Sequence, residues 1–190
     1  MIRFEKSPEP QGFDEKVRQK GRAWLESNPA PKRPKPFWTE VAAELRAAFR
    51  NLCAYSAIET FNGVVDHYRS CKNARLQAYE WSNYRYCLDQ INKYKSTHDE
   101  RILDPFEVQD EWFEVLIPSM QLVLTDRIPE DQRERAEFTL KQLRLRGGRD
   151  DEWIVQLRRS WYQRYLNKRV NLDGLSITAK GPRHEDQGPN

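Results

Sequence analysis

The sequence predicts an α+β fold built on a two-strand, one-helix (ββα) unit with helices on both sides. Three observations predict it. An Asn62-Gly63 pair separates the β-branched and aromatic runs "AIETF" and "VVDHY", a strong signal for a two-residue hairpin. Behind it, "SNYRYCLDQINKYKS" reads as a helix of about three turns from Ser82. Around this unit lie stretches with helical apolar spacing and helix stop signals.

Each element follows in chain order. Residues 1–12 hold Pro8 and Pro10 and are expected to be extended. "FDEKVRQKGRAWLES" (13–27) reads as a short helix. "NPAPKRPKP" (28–36) has four prolines and reads as a wrapping loop. Its basic residues Lys32, Arg33 and Lys35 offer a phosphate contact, although a solvated loop is the commoner role. Thr39 is placed to cap a helix through Leu52, with Val41, Ala42, Leu45, Ala48, Phe49 and Leu52 on one face. The predicted hairpin follows, then a connecting loop, "RSCKNARLQAYEW", and the helix from Ser82. "RILDPFEVQ" is a turn region, and "WFEVLIPSMQLVLT" holds one or two strands. A helix starts at Pro129 and stops at Gly147-Gly148. Another begins at Asp150-Asp151 and ends in Lys168-Arg169, matching the helix dipole. The expected organisation is an N-terminal extended segment with helices (1–52), the ββα unit (53–110), a strand and two-helix part of the same domain (111–171), and a disordered tail (172–190).

Composition narrows the function classes. A formal net charge of +3 over 190 residues is nearly balanced, so contact with nucleic acid has to come from local basic clusters. Aromatic residues make up 12%, including six Trp, enough for a folded core despite 32% charged residues. Cys53, Cys71 and Cys87 are scattered and odd in number, which argues against a disulfide framework. No apolar run reaches membrane-span length, and the N-terminus lacks an apolar leader. The expectation is a cytoplasmic protein with no membrane partner.

The chemistry-bearing residues cluster in the ββα unit. Hydrolysis of a phosphodiester needs a base for the water, charge neutralisation at the phosphate, and a scaffold that holds both. His67 supplies an imidazole at a strand end. Asp66 beside it supplies a carboxylate, and Asn92 on the following helix a carboxamide oxygen, both suited to a hard cation. Asn83 stands where it can pin the loop. Lys95 follows Asn92 on nearly the same helix face, within reach of a phosphate oxygen. Asp66 and His67 are neighbours on a strand, so both serve one metal only if the strand bends or the Asp acts through its rim. Other candidates have blander roles: His98 at the surface, His184 in the tail, Asp104 and Glu107 in turns, "LRLRGGR" at a helix end. Arg158, Arg159 and Arg164 form a less favoured phosphate track.

The set "CAYS", "VDH", "AYEWSNYRY", "INKYK" and "LDP", behind an N-terminal "KSPEP" (Lys6 to Pro10), resembles the HNH endonucleases. The likeness spans roughly residues 1–110. It is to the branch that includes the nuclease subunit of Septu and retron-associated anti-phage systems, which works beside an ATPase. The resemblance implies a ββα-metal fold and a DNA endonuclease of phage defence using Mg²⁺ or Mn²⁺. It assigns His67 and Asn83 to catalysis, with His67 the general base and Asn83 the loop pin. It assigns Asp66 and Asn92 to the metal and Lys95 to the substrate.

One departure is systematic. The four zinc cysteines of that branch fall at Cys53, Ser56, Leu88 and Ile91, and a tetrahedral structural site needs four N or S ligands. Apolar Leu and Ile at two positions point to packing in place of a metal crosslink, so no structural zinc is expected. The rival reading is a catalytically inactive HNH-like adaptor or nucleic-acid-binding module that keeps the fold alone.

Overall fold

Strand β1 (Val64–His67) pairs antiparallel with β2 (Tyr84–Cys87), Val64 lying opposite Cys87 and His67 opposite Tyr84. This corrects the expected hairpin across Asn62-Gly63. The segment before Gly63 forms no strand beside β1. It folds back on its own start, with Glu59 bridged to Leu52 and the Cys53 N–H donating to the Ile58 carbonyl at 2.8 Å. Gly63 is needed for space. A Cβ there would lie 2.5 Å from the Tyr86 ring and 2.9 Å from the Cys87 carbonyl, closer than atoms can pack.

The second correction concerns residues 84–87, expected within a helix. Tyr84, Arg85, Tyr86 and Cys87 are all buried. A strand covered on both faces shows no polar–apolar alternation, and the helical signal of the following residues masks it. Helix α1 (Gln19–Ser27) and helix α2 (Ala42–Ala48) precede the sheet, and helix α3 (Asp89–Lys95) leaves β2 after one residue. Two antiparallel strands and a helix thus follow one another, but they come from other segments than the sequence suggested. The fold is α+β.

The flanking elements follow the sequence more closely. A π-helical turn (Asp14–Arg18) leads into α1, filling the expected 13–27. A 3-10 turn (Phe37–Val41) precedes α2. Thr39 bonds back to the Pro36 carbonyl instead of capping, and the helix stops short of Leu52 because Arg50 and Asn51 take positive φ. Strands β3 (Phe113–Leu116) and β4 (Gln121–Leu124) form a separate antiparallel pair. Helix α4 (Glu130–Gln142) starts directly after Pro129, and α5 (Glu152–Thr178) runs on into the segment expected as tail.

The computed structural model describes residues 1–29, 33–148 and 151–178; the rest of the expected tail, 179–190, and His184 with it, lie outside the described residues. One core joins residues from Met1 to Leu145, so the N-terminal segment, the ββα unit and α4 share one hydrophobic interior. The N-terminal stretch is part of it: the Phe4 N–H donates to the Pro105 carbonyl, and the Trp81 indole N–H to the Ser7 carbonyl. A small cluster of Ile58, Met120, Ile154 and Val155 docks the start of α5. Among the described residues no helix is long and apolar enough to cross a membrane.

Gly63→Ala is expected to destabilise the protein by about 1–3 kcal/mol, the usual cost of overpacking. Chemical denaturation measures this, and an unchanged midpoint contradicts the close approach of Tyr86.

Candidate functional site

The loop between β1 and β2 carries the first functional group, a backbone carbonyl. Asn83 holds that loop closed: its carboxamide oxygen accepts from the Arg69 N–H (2.8 Å), and its nitrogen donates to the carbonyls of Arg69 (3.0 Å) and Gln77 (3.1 Å). Asp99 fastens the other side, accepting from the Ser70 N–H at 2.9 Å and from Asn73 at 2.8 Å. Asn83 is buried and is not among the residues lining the main pocket. It positions the loop and touches no reacting group.

The pinned loop presents the Ala78 carbonyl to His67. The Nε2 of His67 lies 2.8 Å from that oxygen, which also accepts the Tyr84 hydroxyl at 2.9 Å. A carbonyl oxygen only accepts, so Nε2 must carry the proton. In neutral imidazole Nδ1 is then the acceptor, and it makes no hydrogen bond among the described residues. The ring is wedged edge-on between Trp38 (centroids 4.5 Å apart) and Tyr84 (5.2 Å). Burial pushes the His67 pKa down from 6.5. The Ala78 bond and Asp66 oppose that shift, and Lys95 and Arg33 reinforce it. Near neutral pH the imidazole is an uncharged base.

His67 lines a pocket of about 720 Å³ with Arg33, Trp38, Asp66 and Asn92. Helix α3 supplies one wall through Asp89, Asn92, Lys93 and Ser96, spaced three and four residues apart on one face. Asn92 is half-buried, and its carboxamide makes no hydrogen bond among the described residues. The structure thus brings His67 and Asn92 to one cavity.

Lys95 does not reach a substrate. Its side chain is fully buried, and its ammonium donates to the His67 carbonyl at 2.7 Å and pairs with Asp66 Oδ1 at 3.1 Å. One turn after Asn92 was the wrong face of α3, since Lys95 lies with Ile91 on the buried side. The exposed Arg33, from the proline-rich loop, borders the pocket and makes no ion pair among the described residues. With Lys93, which pairs with Asp89 on α3, it gives an anionic ligand positive charge at the rim.

Asp66 is engaged as well. Its Oδ2 accepts the Tyr55 hydroxyl at 2.7 Å, and Oδ1 faces the Lys95 ammonium. Its side chain is 3% exposed. The regular pairing of β1 sends Asp66 and His67 to opposite faces. A hard dication wants several oxygen ligands, and as arranged Asp66 and Asn92 do not fit one, because a buried ammonium already holds the carboxylate. Among the described residues no group of three or more His, Cys, Asp or Glu is placed to hold a metal ion.

The positions compared with zinc cysteines sit together. Cys53 and Ile91 are fully buried in the main core with Leu88 packed against them, and the Leu88 N–H lies 3.5 Å from Cys53 Sγ. Ser56 accepts the Ile58 N–H at 3.4 Å. Cys71 borders the pocket, but burial pushes its thiol up to about 11, which removes it as a thiolate nucleophile near neutral pH.

Other candidates resolve into packing. Asp104 is buried in a two-pronged ion pair with Arg85, at 2.8 and 2.5 Å, and that guanidinium lies over the Phe106 ring. Arg158 is buried, donating to the Met120 and Leu145 carbonyls, so it belongs to no phosphate track. Arg164 faces Glu59. Arg144 lies over the Tyr94 ring, Arg146 pairs with Glu137, and His98 packs against Phe138. The Ala78 carbonyl, Tyr84, Trp38 and Tyr55 were missed from sequence; a backbone acceptor leaves no residue signature, and "AYEWSNY" shows only aromatic density. No family model and no curated protein matches this chain.

The lowered His67 pKa has a definite sign. As pH falls through about 6.5, the unfolded chain takes up the proton before the folded one. Stability from the neutral ring is therefore complete above about 6.5 and is lost as pH falls toward the folded pKa. Thermal melts should show the parent losing more stability than His67→Gln between about pH 7 and 5. Equal losses contradict a buried neutral His67.

Proposed function

We propose that the chain is an HNH-type phosphodiester hydrolase acting on DNA, with His67 as its general base. The observation that carries this reading is the His67 Nε2–Ala78 carbonyl bond. It fixes the tautomer and leaves Nδ1 as the proton acceptor of a ring that borders a pocket lined in part by charged and polar side chains. A water on Nδ1 would give its proton to the ring while its oxygen attacks phosphorus, and the P–O bond to one sugar oxygen would break, that oxygen taking up a proton from solvent. The Nε2–H bond persists in the imidazolium, so the ring need not turn during transfer. Asp66, which favours the charged form of His67, would support the imidazolium while it lasts.

The DNA substrate, the dependence on Mg²⁺ or Mn²⁺, the ATPase partner and the role in phage defence rest on the resemblance. The rim adds to it in one respect. Arg33 offers a planar donor for a phosphate, in place of the buried Lys95. What this chain's residues supply is the oriented base, the Asn92 carboxamide and the Arg33 charge.

A second reading, an inactive adaptor on the same fold, draws support from Asp66, whose carboxylate is committed to Tyr55 and Lys95. Incubation with plasmid DNA and Mg²⁺ or Mn²⁺, with and without the ATPase where one is encoded beside it, separates the two. The nuclease reading predicts cleavage that falls by about 10²–10⁴-fold in His67→Gln. Gln is the better probe than Ala, because the ring is 9% exposed and its removal opens a cavity beside Trp38. Arg33→Ala is expected to lower kcat/KM by about tenfold or more with little change in Tm. Absence of cleavage under every condition, with DNA binding retained, supports the adaptor.

A further inference from the structure

We infer that Tyr55, Asp66 and Lys95 form a buried polar bolt that fixes the strand end carrying His67, making Asp66 a positioning residue and not a cation ligand. The inference deepens the reading of His67 as the base, but it stands on contacts that can be tested without activity.

The three residues come from three elements: Tyr55 from the turn after α2, Asp66 from β1, and Lys95 from the last turn of α3. Tyr55 and Lys95 are wholly buried and Asp66 nearly so. The bonds form one chain. The Tyr55 hydroxyl donates to Asp66, Asp66 faces the Lys95 ammonium, and that ammonium donates to the His67 carbonyl. Burial and the neighbouring Asp66 charge raise the Tyr55 pKa, so its hydroxyl stays protonated and donates. The Lys95 ammonium also lies 5.9 Å from the Tyr68 ring.

The location of the last bond gives the bolt its purpose. The β1–β2 pairing ends at His67 opposite Tyr84. The His67 carbonyl is thus at the point where the chain turns into the loop, and Lys95 caps it. The His67 peptide is held by Lys95 and the His67 ring by Ala78. With both ends fixed, Nδ1 has one direction. The same three elements meet near Cys53, Leu88 and Ile91, where apolar contact alone does little to orient a side chain. A charged hydrogen bond is directional. A buried charge is tolerated only while paired, so the bolt closes whole or fails.

Thermal melts of Asp66→Asn, Lys95→Met and the double variant test this. Each single variant strands a buried partner and should lower Tm by roughly 10 °C. The double variant should lose clearly less than the sum of the two. Tyr55→Phe, the mildest change, should lower Tm in the parent but add little in the Asp66→Asn background. The positioning role has its own readout: the NMR signal of the His67 Nε2–H. It should broaden or shift in Lys95→Met and in Tyr55→Phe at temperatures where both are folded, whereas an ion pair of merely structural value would leave it in place. Additive Tm losses overturn the inference, as does an unmoved His67 signal. So does an Asp66→Asn variant that keeps the parent Tm but loses Mn²⁺ binding, which would make the carboxylate a ligand. If Lys95→Met does not fold, Tyr55→Phe and its combination with Asp66→Asn decide by the same two readouts.

Discussion

The Ala78 carbonyl is the point on which the candidate site depends. It accepts two hydrogen bonds, one from the Tyr84 hydroxyl and one from the His67 Nε2–H. Loss of the loop that carries it would free the imidazole to turn and exchange tautomers, and Nδ1 would no longer be a defined base. This explains why so much buried polar bonding serves a stretch with little regular structure. Asn83 closes the loop from β2's side and Asp99 from the far side. A buried polar network of this kind is stable only when its members are satisfied, and here each anchor bonds backbone groups that the loop would otherwise leave unpaired.

Strand geometry then constrains the chemistry. Neighbouring residues on a regular strand face opposite ways, which turns the two groups of an Asp-His pair apart. The structure keeps the strand regular and separates the jobs. Both residues border the pocket, but the His67 ring is bonded through Nε2 alone, whereas the Asp66 carboxylate is taken up by Tyr55 and Lys95. The consequence is electrostatic as well as geometric. Asp66 and Lys95 act on the imidazole in opposite directions, leaving burial as the dominant influence and the ring neutral. Arg33, at the rim, is a positive charge without an ion-pair partner among the described residues, beside Lys93, which pairs with Asp89.

Sequence reading succeeded where a local rule decided the outcome. Pro129 at a helix start and the short helix read at 13–27 correspond to observed helices. The β3–β4 pair fell inside the expected stretch. His67 and Asn92 were picked from residue type and order, and they share a cavity. Reading failed where tertiary contact overrode the local rule. Asn62-Gly63 looks like a turn, but Gly63 answers to the Tyr86 ring lying against it. Tyr84 to Cys87 is buried on both faces, so alternation, the usual mark of a strand, is absent. A lysine is ordinarily exposed, and nothing local shows that Lys95 has a carboxylate and a carbonyl waiting in the interior. The extent of α5 past residue 171 leaves no mark in the sequence, because apolar content falls there while the helix continues.

The most direct test of this account is the protonation state of His67, read by ¹⁵N NMR of the imidazole in the folded protein near pH 7.5. The account predicts a neutral ring with the proton on Nε2 and a bare Nδ1. A ring carrying its proton on Nδ1, or one doubly protonated at that pH, would contradict it, because neither form leaves an acceptor facing the pocket.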